Sequence, residues 1–239
     1  MSSGGPNVGC VPSAVDDVIF DNNSGLTGGT IYSDYDHVSV NSFTMTGVSA
    51  GNTFQIGTLS VNTSLVLEQG TTFNVSDVVL RATTNSILDP GGNTFGEILL
   101  NGTNTITLAG PLNATALDII SGSFDMNNFD LQASGISSIA GTTFTAGNAK
   151  ITSTNFSLRG TVLNTTNTDV DMKLFAPGNF TYGNNFNTPG EFRNINAFSG
   201  VSFNAVPFKC QTLNAYNYIS MSSILKLYFD RKKKETKSF

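Results

Sequence analysis

The only histidine of the chain stands in the run Asp34, Tyr35, Asp36, His37, where two carboxylates, a phenol and an imidazole fall within four residues. Strand alternation would place Asp34 and Asp36 on one face and Tyr35 and His37 on the other. Two carboxyl groups flanking a sugar bond are the basis of glycoside cleavage, one group donating a proton while the other accepts one or attacks. Such a site also needs bases to hold the sugar or neutralise uronic acids, and Arg81, Lys150, Arg159, Lys173 and Arg193 are scattered along the chain. The run therefore reads first as solvated turn residues in which Asp34, Asp36 and His37 are candidates for binding, and only second as catalytic acids and base.

Asp16, Asp17 and Asp21 are the densest early carboxylates. Oxygen ligands of this kind suit a hard cation such as calcium. No complete calcium-loop pattern accompanies them, and with Asn22 and Asn23 they equally suit a turn whose amides they cap. No cofactor is expected, with calcium as the alternative. Asp169 and Asp171 alternate with Val170 and Met172, while Asp125 and Asp130 flank Asn127 and Asn128. If such carboxylates stack on neighbouring strands they repel unless a cation bridges them. Thr-x-Thr pairs at 44/46, 105/107, 143/145 and 152/154 are the residue type of ice-binding arrays, although Thr is also an ordinary exposed strand residue. Cys10 and Cys210 could pair only if the chain ends met, so both are read as free thiols.

The composition that surrounds these residues narrows the chemistry further. One histidine, two cysteines and no tryptophan among 239 residues exclude His- or Cys-rich metal sites, and 12% charged residues leave few acid-base candidates. Half of the basic residues lie at Lys226, Arg231, Lys232, Lys233, Lys234 and Lys237, so the body before them is acidic and repels phosphate backbones. Nucleic acid is not an expected partner. No apolar run approaches the roughly 18 residues of a membrane helix, and the first residues show no secretory leader pattern.

Positioning falls to strands. Short apolar runs alternate with Gly, Asn, Asp, Pro and Thr from end to end, as at 18–20, 38–40, 65–67 and 78–80. Val79, Leu99 and Ile119 recur at about twenty, Ile87, Ile106 and Phe124 at slightly less, and Leu131 and Ile151 again at about twenty. The segment 90–102 matches 189–200 in a glycine turn, a phenylalanine, an isoleucine three later and a closing glycine. This period predicts an all-β, right-handed, single-stranded parallel β-helix of about 20 residues per turn and roughly ten rungs, about 50 Å long at parallel-strand spacing. Phe54, Phe73, Phe95, Phe124, Phe144, Phe180 and Phe198 are expected in the interior, with Asn and Gly at corners that need positive φ. A β-sandwich with evenly spaced strands is the alternative fold. Residues 1–14 read as an extended lead-in, 15–223 as the β-helix and 224–239 as a basic cap or tail.

The opening SSGGPNVGCVPSAVDDVIFDNNS (2–24), the rung TFGEILLNG (94–102) and the rung LDIISGSFDMNNFDLQA (117–133) resemble repetitive parallel β-helix modules of large secreted surface proteins of Bacteroidetes-type bacteria. The resemblance covers roughly residues 2–220. Such modules usually follow a tryptophan-containing segment and an export signal, so it implies that Met1 is an internal start in a fragment of a longer exported protein. It further implies a cell-surface or extracellular location, a monomeric module, and surface glycans or neighbouring surface proteins as partners. Taken together, the residues lead to the expectation of a noncatalytic structural or adhesive module, a stiff stalk with a weak multivalent surface. The alternatives are a β-helical polysaccharide-cleaving enzyme and a carbohydrate- or cation-binding module.

Overall fold

The computed structural model describes residues 12–33, 35–139, 141–158, 162–165, 167–172, 178–182, 191–197, 201–204, 209–216 and 219–221. Its regular elements are twenty strands with no helix among the described residues, and every strand pairing is parallel. The expected β-solenoid is therefore present. Residues 1–11 and 222–239, which include Cys10 and the basic segment 224–239, lie outside the described residues.

Each turn lays strand segments on three faces. The first face stacks Asp17–Asp21, Ser42–Thr46, Leu65–Val66 and Ser86–Asp89, then 105–107, 123–125, Thr143–Thr145 and Val162–Asn164. The second runs from Gly29–Tyr32 through 52–56, 72–75, 94–95, 112–114, 131–133 and 150–153 to Asp169–Met172 and beyond. The third runs from His37–Val40 through 58–61, 77–80, 97–100, 116–119, 135–138 and 155–158. The regular stack makes about seven turns of roughly 20 residues. Toward the ends the step lengthens to 25 residues, at Asp17 to Ser42 and at Asp169 to Asn194, so the even ten-rung period expected from sequence breaks where connections are longer.

Side-chain alternation explains how so polar a chain fills its interior. In Thr94–Leu108, which bends across all three faces, Phe95, Ile98, Leu100, Ile106 and Leu108 point inward and are nearly inaccessible, while Thr94, Glu97 and Asn101 are exposed. The bends are made where Cβ atoms have no room. A Cβ on Gly96 would strike the Ser76 carbonyl oxygen, and one on Gly102 would strike the Arg81 carbonyl oxygen.

Phenylalanines form two interior runs. Phe20, Phe43, Phe54, Phe73 and Phe95 are linked ring to ring at 4.8–6.3 Å, and Phe124, Phe144, Phe156 and Phe192 at 5.8–6.4 Å. Between them Ile98, Leu100, Leu112, Leu117 and Ile119 fill the core. Burying each ring contributes about 1.5–3 kcal/mol. The expected interior positions Phe54, Phe73, Phe95, Phe124 and Phe144 are all buried; Phe198 and the Phe180 side chain lie outside the described residues.

Several repeat positions are corrected by the register. Leu131 pairs with Ile151 as the spacing predicts, and Val79 with Leu99, but Leu99 opposes Asp118, whereas Ile119 opposes Leu100. One residue fewer in that turn sends Ile119 inward while Val79 and Leu99 face out. Ile87 likewise opposes Thr107 and is 48% exposed, and Ser86 takes the inward place opposite Ile106. The segments 90–102 and 189–200 do not occupy equivalent places either. Ile98 lies in the third face between Val78 and Leu117, whereas Ile195 lies in the second between Val170 and Leu213.

Corners are closed by side chains. Asn127 and Asn128 hold positive φ of 48° and 64°, as expected of corner asparagines, and Asn128 Oδ1 accepts the Asn148 backbone N–H of the next turn at 2.9 Å. Asn93 Oδ1 accepts the Phe73 N–H at 2.9 Å while its Nδ2 donates to the Pro90 carbonyl. No buried side-chain nitrogen or oxygen lacks a hydrogen-bond partner among the described residues.

Candidate functional site

The run around the histidine is not a strand. His37–Val40 begins at the imidazole itself, and Tyr35 and Asp36 belong to the corner before it. Asp34 lies outside the described residues. His37 Nε2 and Ser60 Oγ of the next turn form a hydrogen bond at 3.0 Å, and the Asp36 carbonyl accepts the Thr58 N–H at 2.7 Å. No basic side chain joins them in an ion pair among the described residues. Lys150 and Arg193 are engaged elsewhere, and Arg81 follows the strand Thr72–Leu80, two turns farther along the third face.

The early carboxylates are engaged separately, Asp16 and Asp21 within local turns and Asp17 with the next rung. Asp16 Oδ2 accepts from the Ser13 N–H and hydroxyl, Asp17 Oδ1 from Asn41 Nδ2 and the Ser42 hydroxyl, and Asp21 from the Asn23 N–H and the Ser24 hydroxyl. These bonds, the hydroxyl donors first, hold all three carboxyls below their ordinary range. Among the described residues no three carboxylate, imidazole or thiol groups gather where one metal ion could meet them.

Asp169 and Asp171 do not stack on successive turns: they lie two apart on one strand of the second face, Asp171 buried, and the protein supplies their counter-cations. Lys150 Nζ lies 2.6 Å from Asp171 Oδ2, Arg193 grips Asp169 through Nε and Nη2, and Asn194 and Asn196 donate to the two carboxylates. The Arg193 hydrogen bond lowers the Asp169 pKa, and the Asp171 hydrogen bond raises that of Lys150. A second acidic group lies on the third face and had no counterpart in the sequence reading. Asp77 and Glu97 are register partners, and Asp118 on the next turn lies close enough for its charge to act on Glu97 while accepting from the Ser137 hydroxyl at 2.5 Å. Burial, then the Asp118 and Asp77 charges, push the Glu97 carboxyl above its ordinary value. The interval from 77 to 97, one turn, was the available signal, whereas Asp118 lies two residues beyond Ala116, the register partner of Glu97.

The second face also carries a row of uncharged polar side chains. Tyr32 is in register with Gln55 and Gln55 with Asn74; farther on, Thr94 pairs with Asn113, Asn113 with Gln132 and Gln132 with Thr152. Successive positions are one strand spacing apart, about 4.8 Å. Near its start lies an open groove of about 380 Å³ at the bend between the second and third faces, lined by Gln55, Gly57, Phe73, Asn74, Ser76 and Thr94 among others. On the first face the Thr-x-Thr pairs 105/107 and 143/145 are two turns apart, with Ser123 and Asp125 between them, so the threonine array is interrupted by a charge.

Cys210 is a free, buried thiol whose pKa burial pushes up to about 11, which leaves it a packing residue at neutral pH. Comparison of the chain with protein-family models, curated proteins and solved structures finds no match.

Proposed function

We propose that the chain is a noncatalytic structural module, a stiff solenoid that presents a row of amide and hydroxyl groups to glycans or neighbouring proteins. The observation that carries this reading is the fate of the charged groups. Lys150, Arg193, Asp169 and Asp171 neutralise one another, Asp16 and Asp21 cap turns and Asp17 binds Asn41 and Ser42 of the next rung, whereas Tyr32, Gln55, Asn74, Asn113 and Gln132 on the second face are uncharged and carry no such duty. An array of weak identical contacts gains avidity from repetition without any single strong site. The sequence resemblance of residues 2–220 to surface-protein modules supports the same reading and adds a cell-surface location to it. Retention of the protein on insoluble polysaccharide, with no reducing ends released on prolonged incubation, is the expected result. Turnover would contradict it.

The group of Asp77, Glu97 and Asp118 favours a second reading, a polysaccharide-cleaving enzyme. A carboxyl with a raised pKa beside two further acidic side chains is the arrangement that separates a general acid from a base. On that reading reducing ends accumulate and Glu97→Gln abolishes their release, with loss of about 100-fold or more.

A further inference from the structure

We propose that the groove beside Tyr32 is a binding site for a neutral glycan, with Tyr32 as the stacking platform and Gln55 and Asn74 as the hydroxyl-recognising groups. This rests on the display reading above and narrows it to one place and one ligand class. Gly57 lines the groove at a tight bend, where a Cβ would strike the Asp36 carbonyl oxygen of the preceding turn. Its volume of about 380 Å³ falls in the range of small-ligand sites. Gln55, Asn74, Ser76 and Thr94 supply exposed amides and hydroxyls to the groove.

Those rim groups are spare. Elsewhere asparagine amides hold the fold together, as Asn52 does to the Ser49 carbonyl, Asn93 to Pro90 and Asn104 to Ala82. The side chains of Gln55, Asn74, Ser76 and Thr94 make no hydrogen bond within the protein among the described residues. A carboxamide offers both a donor pair and an acceptor, which matches neighbouring sugar hydroxyls that each donate and accept. Tyr32 is 67% exposed and in register with Gln55. Its ring presents a negative face to the polarised C–H groups of a pyranose and loses little rotamer freedom in doing so.

Charge selects among glycans. The named lining residues are uncharged, and Asp77 and Glu97 begin the third face immediately beyond Ser76 and Gly96. An anionic chain such as a uronate polymer meets carboxylates and no free base there, so a neutral chain is favoured. A longer chain continues along the axis over Asn113 and Gln132.

Titration of the full chain with cellohexaose, xylohexaose and hexagalacturonate tests this. The expected result is millimolar or tighter binding of a neutral hexasaccharide but not of hexagalacturonate. Tyr32→Ala combined with Asn74→Ala weakens it about tenfold or more, while Tyr32→Phe keeps it. Circular dichroism confirms that the variants fold, which the exposure of both positions favours. Failure of both neutral probes, equal binding of hexagalacturonate, or affinity indifferent to Tyr32 and Asn74 overturns the site. In the last case, loss on Asn113→Ala with Gln132→Ala still leaves the display reading standing. Reducing-end release with affinity that depends on Tyr32 and Asn74 upholds the site and overturns the noncatalytic reading.

Discussion

Asp171 is 2% exposed, and its charge is tolerable because neighbouring turns bring Lys150 to one oxygen and Asn196 to the other. Lys150→Met removes the charged partner from that carboxylate. Because the Lys150 side chain is 44% exposed, the expected loss is the discounted figure of about 1–2 kcal/mol rather than that of a fully buried pair, read from urea unfolding. The carboxylates also give the stability two opposite pH dependences. Asp169 has a lowered pKa, so its contribution is complete above about 3.8 and disappears as pH falls through the lower folded value. Glu97 has a raised pKa, so its contribution is present below about 4.5 and disappears as pH rises through the higher folded value. Glu97→Gln is therefore expected to raise the Tm at pH 7. Exposure limits the gain to about 0.5 kcal/mol, or 1–2 °C for a chain of this length, and the difference vanishes near pH 4. A Tm difference that grows on acidification would contradict the assignment.

At the scale of the strand and its corner, shape decides which residues are replaceable. Gly96→Ala forces a Cβ into the Ser76 carbonyl oxygen and is expected to cost about 1–3 kcal/mol. Gly135, which opens the third face two turns farther in line with Glu97, has nothing within 4 Å of the same atom, so Gly135→Ala is neutral or stabilising by up to about 1 kcal/mol. Thermal melts of the two variants side by side check the contrast. Phe144→Ala opens the second phenylalanine run between Phe124 and Phe156 and is expected to cost about 3–5 kcal/mol. These elements show what was legible in sequence. The twenty-residue period and the inward phenylalanines followed from alternation and composition. Leu99, Ile119 and Ile87 were misplaced because a one-residue change in turn length moves a side chain from one face to the other, and nothing in residue type marks that change. For the same reason Glu97 and Asp118 were not paired with Asp77, since their contact depends on register across two turns of unequal length. The corner at Tyr35 and Asp36 was legible as turn residues, because Asp and Asn-type polar side chains favour turns and no apolar alternation accompanies them.

For the whole molecule, parallel stacking ties function to register. Each turn contacts chiefly its neighbours, so stability is the sum of interfaces along the stack and outward rows keep a fixed pitch along the axis. The uncharged row on the second face is useful as a binding surface only if that pitch holds from Gln55 to Gln132, four turns apart through Asn74, Thr94 and Asn113. The stack is tested most directly by spin labels placed at Gln55 and Gln132 in a Cys10→Ser, Cys210→Ala background, with the separation read by pulsed dipolar spectroscopy. Four steps at parallel-strand spacing predict a narrow distribution centred at about 19 Å between backbones. A broad distribution, or a centre beyond about twice that value, would mean that the turns do not stack in register. That result would remove the row on which the proposed display of amides and hydroxyls depends.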